Sequence, residues 1–192
     1  MKNLSLVIAS FVLVFGMSNA VTAQDNNDTH EASHAVEISI PTVALVDVEG
    51  SDGEVTSITL KPDVSALEAG EAVNFGSATN SDLWLNYTSI VGSDQTRDIT
   101  AALDGTLPSG VSLNLAASGV STGNGALGNA AGQISLSASA QNLITGIGSG
   151  YTESGYEKGH QLTYTLDMDN SSYEDLVADD YDVTVMFTIT GE

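Results

Sequence analysis

Strict alternation of apolar and polar residues is the feature that most limits what this chain can fold into. Leu162, Tyr164, Leu166 and Met168 alternate with Thr163, Thr165, Asp167 and Asp169, and Val183, Val185, Phe187 and Ile189 alternate with Thr184, Met186, Thr188 and Thr190. A period of two sends successive side chains to opposite faces of a pleated strand, so each segment needs a core on one face and water on the other. The same grammar recurs at Val36, Ile38 and Ile40, which Pro41 separates from the β-branched run Thr42 to Val48. It continues at Val55 to Leu60, Leu83 to Val91, Ile99 to Leu103, Val111 to Leu115, Ile134 to Ala138 and Leu143 to Ile147. Clusters of Gly, Asn, Asp and Ser punctuate these segments. Ala117 to Gly132 and Gly148 to Gly159 read as Gly-rich loops, and Lys61 to Ala69 has room for a helical turn. No long amphipathic helix competes. The pattern predicts an all-β fold, an antiparallel two-sheet β-sandwich (Ig-like or pilin-like) of about 9–11 strands, as a single domain over residues 35–192.

The start of the chain reads as an export signal over residues 1–23. Lys2 precedes an apolar run from Leu4 to Phe15, too short for a mature membrane span, and Val21-Thr22-Ala23 supplies small residues at the cleavage position, with Ser18-Asn19-Ala20 as a second candidate. Residues 24–34 are polar and lack a core former, so they form a flexible leader. The expected location is the periplasm, the cell surface or the extracellular space. Cleavage leaves three basic residues, Lys61, Arg97 and Lys158, against 25 Asp and Glu, a net charge of −22. Such a chain cannot neutralise phosphate with clustered cations, which excludes nucleic acid and anionic membranes as partners. An acid excess of this size suits salty surroundings, where screening tames self-repulsion. There is no cysteine, so disulfides, thiolate zinc sites and thiol catalysis are excluded. No apolar stretch after the signal is long enough to span a bilayer.

Several short motifs touch on chemistry. Gly123-Asn124-Gly125-Ala126-Leu127-Gly128 matches the dinucleotide fingerprint in letters, but a strand follows it and the first later acid is Glu153. Gly119-Val120-Ser121-Thr122-Gly123 matches a serine-hydrolase elbow, with Glu153 or Glu157 and then His160 in the required order, in a fold class that lacks the strand-to-helix turn. His160 reads as a strand-start histidine, and His30, Glu31 and His34 would chelate a transition metal weakly if the leader became helical. Asp167-Met168-Asp169-Asn170-Ser171-Ser172 opens like a calcium loop, yet Ser172 stands where an EF-hand needs Gly and Ala178 where it needs Glu. A calcium site of another kind would draw on Asp167, Asp169, Asp175, Asp179 and Asp180. Trp84 and Tyr87, with Tyr151 and Tyr156, are candidates for a sugar-stacking platform; a lone Trp in a sandwich strand otherwise belongs to the core. Asn27-Asp28-Thr29, Asn86-Tyr87-Thr88 and Asn170-Ser171-Ser172 are formal glycosylation sequons.

The segment Leu176 to Thr190, in which Tyr181 precedes alternating Val and Thr, resembles the closing strand of pilin-like sandwiches. These include fimbrial subunits of the chaperone–usher type and spore coat protein U-like secreted proteins. The stretches Ala78 to Tyr87 and Gly159 to Tyr164 are similar to uncharacterised secreted β-sandwich proteins of Gram-negative bacteria. This chain departs from the pilin pattern in having Asp180 where Gly usually precedes the Tyr, and in lacking the disulfide of many fimbrial subunits. The resemblance implies that Tyr181 acts as a tyrosine corner. It also implies that Val36, Ile38, Ile40 and Val43 are donated as a strand to a neighbouring subunit. The alternative is that Val36 to Val48 is the first strand of the chain's own sandwich. The functional expectation is an exported structural or adhesive subunit, pilin-like or coat-like, without catalytic residues, whose partners are itself or other surface subunits. The alternative function is a secreted carbohydrate- or calcium-binding module, calcium being the only cofactor in question.

Overall fold

A computed structural model of the chain describes residues 33–54 and 57–191. The export signal, the first part of the leader with His30 and Glu31, and Val55-Thr56 of one expected strand lie outside the described residues. The chain divides into two units, 1–39 and 40–192. In the first, residues 33–39 carry no regular secondary structure and are exposed.

The second unit is almost entirely strand. Its described elements are β1 (Val43–Gly50), β2 (Gly53–Glu54), β3 (Thr79–Ile90), β4 (Arg97–Asp104), β5 (Val111–Ala117), β6 (Asn124–Ala130), β7 (Ile134–Ser135), β8 (Gln141–Tyr151), β9 (His160–Met168) and β10 (Thr184–Ile189). Short 3₁₀ turns occupy Phe75–Ser77 and Asn170–Asp175. The strands pair antiparallel in the order β10-β4-β8-β3-β9-β5-β7, with β1 added to β3, β2 to β1 and β6 to β8. The all-β expectation therefore holds.

β3 organises this array. One of its edges carries β1, from Ile90 opposite Val43 to Trp84 opposite Glu49. Its other edge carries β9 as far as Leu85, opposite His160, and then β8 at Thr88 and Ser89. Tyr87 falls between the two partners, where a strand backbone would lose its hydrogen bonds. Thr152 replaces the missing neighbour: its hydroxyl accepts from Tyr87 N–H at 2.9 Å and its own N–H donates to Tyr87 C=O at 3.0 Å. A buried backbone pair is thus kept satisfied at the change of partner.

The core follows the alternation. Leu83, Leu85 and Tyr87 of β3, Ile99, Ala101 and Leu103 of β4, Leu113 and Leu115 of β5, and Leu162 and Tyr164 of β9 form one buried cluster with Leu136, Leu143, Ile144 and Ile147. In β8 the alternation is broken, since the neighbours Leu143 and Ile144 are both buried. The β4–β8 pairing shifts register on either side of Ile99, and such a bulge re-aims side chains that a regular pleat would turn outward.

Several expectations are corrected, among them the loop from Gly148, since β8 runs on to Tyr151. The Gly-rich stretch Ala117 to Gly132 is not all loop: it contains β6, where Gly125 lies opposite Gly150 of β8 so closely that a Cβ would strike the backbone of Ser149 and Gly150. Glycine here serves strand packing, a use that sequence punctuation rules read as a loop. Residues 61–69 hold no helical turn, only hydrogen-bonded turns at 65–66 and 69, and residues 57–60 are not in a strand. Val36, Ile38 and Ile40 pair with no strand among the described residues, whereas Val43, grouped with them, opens β1 and pairs with Ile90 of its own unit.

Candidate functional site

β1 and β10 have inward faces that stay incomplete, as do the short strand β7 and the Gly-rich β6. Val46 and Val48 of β1, and Val185, Phe187 and Ile189 of β10, pack against the core cluster, yet each remains only half-buried. The inward residues of β3, β4 and β9 are by contrast mostly closed from solvent. β1 uses one edge to pair with β3 and meets β2 only at its far end, and β10 pairs with β4 alone among the described residues. The remaining edges border a common groove of about 350 Å³, lined by Val46, Asp47 and Val48 on one side and Thr184, Val185, Met186 and Phe187 on the other. The two strand edges flank apolar side chains that are only half-covered, and on the β1 edge Val48 N–H donates to the Asp47 carboxylate at 2.8 Å.

The C-terminal strand is clamped at its end. Arg97, which is buried, donates from Nη1 to Thr190 C=O at 2.8 Å, and Thr190 N–H donates to Asp98 C=O at 2.8 Å. The Asp98 carboxylate accepts from Gly146 N–H at 2.9 Å and from Asn142 Nδ2 at 3.3 Å. Sequence reading treated Arg97 only as part of the charge balance. Its position at the start of an alternating strand was the available signal.

The expected calcium ligands do not converge. Asp169 is engaged as a cap, accepting from Ser171 N–H at 2.9 Å and Ser171 Oγ at 2.8 Å, and these bonds hold its carboxyl below the ordinary carboxylate range. Asp167 accepts from Met168 N–H and Asp179 from Asp180 N–H, while Asp175 closes the 3₁₀ turn. Among the described residues no three His, Cys, Asp or Glu side chains are grouped as metal ligands. Millimolar calcium is expected to leave the melting temperature unchanged within about 1 °C, because binding to the native state would otherwise raise it. Thermal unfolding followed by circular dichroism with and without EGTA checks this.

Of the sugar-platform residues, Trp84 and Tyr156 come together and Tyr87 does not join them. Trp84 is half-buried on the outer face of β3 and meets Tyr156 edge-on, with ring centroids 6.5 Å apart. Tyr87 is only 3 % exposed and cannot offer its ring to a ligand. Its hydroxyl donates to Leu127 C=O, and its ring stacks on His160 at 5.7 Å. Alternation placed Tyr87 among inward residues from the start, and the aromatic count obscured that.

The hydrolase constellation does not assemble either. Ser121 Oγ donates to Gly159 C=O at 3.0 Å, and Glu153 pairs with Lys158 at 2.9 Å. His160 is buried at 1 % exposure, with Nδ1 2.8 Å from Ser118 C=O and Nε2 3.1 Å from the Tyr87 hydroxyl. A carbonyl only accepts, so the neutral ring carries its proton on Nδ1. Burial pushes the His160 pKa down, and the Ser118 hydrogen bond opposes this only in part. A histidine whose folded-state pKa is lowered contributes no penalty above its ordinary value near 6.5 and costs stability as pH falls below it, with a limiting slope of about 1.4 kcal/mol per pH unit. We expect the melting temperature to drop more between pH 7 and pH 5 in the native chain than in His160→Asn, which keeps a donor toward Ser118 but does not titrate. Equal drops would show that other groups set the acid response.

The Tyr181 hydroxyl donates to Val177 C=O at 3.1 Å across the turn before β10, and the residue stays exposed. No family model matches this chain, and neither a curated protein nor a solved structure is similar to it.

Proposed function

We propose that this chain is an exported, non-catalytic structural subunit of a surface assembly, pilin-like or coat-like in the way it associates. The groove between the free edges of β1 and β10 carries this reading, with its half-buried Val46, Val48, Val185 and Phe187. Soluble β proteins protect such edges with bulges, charges or covering segments, and an edge left open beside apolar side chains is a template for another chain. The export signal and the leader agree with this role. In the same reading the unit is a two-sheet sandwich, with β1-β3-β9-β5-β7 in one sheet and β10-β4-β8-β6 in the other, joined where β3 passes from β9 to β8.

The strong negative charge sets a condition on assembly. Subunits with so many carboxylates repel one another at low ionic strength, and screening shortens that repulsion to about 8 Å near 0.15 M salt. Residues 24–192 should sediment as a small species in dilute buffer and form oligomers or fibres as salt rises. Sedimentation velocity and negative-stain microscopy across a salt series test it. A monodisperse monomer at every salt and protein concentration would overturn the structural-subunit reading.

A further inference from the structure

We propose that Trp84 and Tyr156 form a binding corner for an uncharged polysaccharide on the outer face of β3, a site separate from the β1–β10 groove and independent of how subunits associate. Trp84 is the only tryptophan in the chain and stands in the middle of a cross-strand row: Glu49 of β1 lies opposite it on one side and Gln161 of β9 on the other. Residues directly opposite in antiparallel strands share a face, with Cβ atoms about 5 Å apart, so a carboxylate and an amide flank the indole. Tyr156 meets the indole from the loop between β8 and β9. The two ring planes stand 79° apart, so the pair makes two walls of a corner rather than a flat stack. Tyr156 keeps 41 % of its surface exposed, and Trp84 is only partly covered.

Sugars are recognised by this combination. The C–H face of a pyranose ring is apolar and lies against an aromatic ring, while the hydroxyls at its rim need placed polar partners. Glu49 brings two acceptor oxygens to the row. Gln161 Nε2 donates to Ser81 C=O at 2.8 Å, which fixes the amide and leaves its oxygen as an acceptor. Asn86, two residues from Trp84 on the same face, donates from Nδ2 to Trp84 C=O at 3.3 Å, and its buried Oδ1 has no partner among the described residues. Buried acceptors nearly always hold a partner, and a sugar hydroxyl, directly or through a bound water, is a donor of the right kind.

Tyr156 is placed rather than loose. Glu153 and Glu157 on either side of it have φ of +70° and +63°, a left-handed backbone that non-glycine residues adopt only where the surroundings impose it. The loop is fastened elsewhere: Tyr87 N–H donates to Thr152, Lys158 pairs with Glu153, and Ser121 N–H donates to Gly159 C=O. The Trp84–Tyr156 contact is therefore not what holds it. Charge selects the class of sugar. Glu49 stands beside Trp84, and Glu153 and Glu157 share the loop with Tyr156, in a chain with 25 Asp and Glu. A uronate or sulfated polymer would be repelled here and an uncharged one would not.

The single indole makes the test direct. Residues 24–192 titrated with hydroxyethylcellulose, galactomannan or dextran should show a saturable change in tryptophan emission with at least one of them, and polygalacturonate should produce none at the same salt. Affinity electrophoresis in gels containing the same polymers should show matching retardation. Tyr156→Ala should weaken binding about tenfold, the size of one lost aromatic contact, and Tyr156→Phe should keep most of it. Glu49→Gln should weaken binding about threefold at a native melting temperature, and it decides the matter if Tyr156→Ala disturbs the loop. Unchanged emission and migration with all the neutral polymers would overturn the proposal. Binding that survives both Tyr156→Ala and Glu49→Gln, or equal binding of polygalacturonate, would overturn it too. An emission change that follows protein concentration without sugar would assign the corner to contact between copies and likewise overturn it. The salt series above judges the structural-subunit reading separately, so either can fail without the other.

Discussion

Leu85→Ala is expected to lower folding stability by about 3–4 kcal/mol. Leu85 is fully closed from solvent near the middle of β3, in the one strand that pairs with β1, β8 and β9. Truncation removes the transfer free energy of three methyl-type groups and leaves a void. The surroundings cannot easily close over it, because strands hydrogen-bonded along both edges of β3 hold its backbone in place. A domain of this size is stable by about 5–15 kcal/mol in total, so the loss is a large share of the whole. Equilibrium urea unfolding measures it directly. A loss under about 1 kcal/mol would mean that β3 relaxes more freely than its double pairing implies.

Gly159→Ala is the second large effect, with an expected cost of at least about 2 kcal/mol. Gly159 has φ of +71°, a conformation that alanine adopts only with strain. A Cβ there would also overlap the carbonyl oxygen of Leu85, which belongs to backbone and cannot step aside like a flexible side chain. Gly159 is further tied at both ends: Ser121 N–H donates to its C=O at 2.8 Å, and its N–H donates to Thr122 Oγ1 at 3.1 Å. Comparison of the melting temperatures of the native chain and the variant checks this, and a near-native value would show that the corner beside β9 is looser than its hydrogen bonds indicate.

The strands that show period-two alternation were legible because burial on one face imposes it. Leu162 and Tyr164 in β9 and Val185 and Phe187 in β10 fall on the faces expected of them. The rule failed wherever something other than burial determined the residue. β6 is a strand with Gly125 and Gly128 in it, since a neighbouring backbone occupies the space where side chains would stand. In β8 a register shift buries two consecutive residues and hides the period. Val36, Ile38 and Ile40 satisfied the strand pattern and pair with nothing among the described residues, because alternation records which faces are apolar and carries no information on which molecule covers them.

The candidate site was less legible for a related reason. Single residues with suggestive chemistry, such as Ser121, His160, Tyr87 and the carboxylates around Asp169, attract attention in a sequence. Their hydrogen bonds in the folded chain turn out to be structural: a serine on a glycine carbonyl, a histidine between a carbonyl and a phenol, an aspartate on a turn. The groove is formed by backbone edges and half-covered valines from opposite ends of the unit. No local run of letters announces a surface of that kind.

The path of β3 also bears on how the chain reaches this structure. Its pairings join Leu83 to Leu162 and Val43 to Ile90, and β10, the last strand in order, closes on β4 from Ile99 opposite Ile189. Apart from local pairings such as β1 with β2, most strand partners lie far apart in the chain, so much of the ordering entropy must be spent before these distant contacts compensate for it. Topologies of this kind fold in milliseconds to seconds, far more slowly than helical bundles of similar size. A polypeptide emerging from its N-terminal end would therefore hold β3 and β4 without their later partners until nearly all of it had appeared. The order of synthesis makes β10 the step that completes the unit.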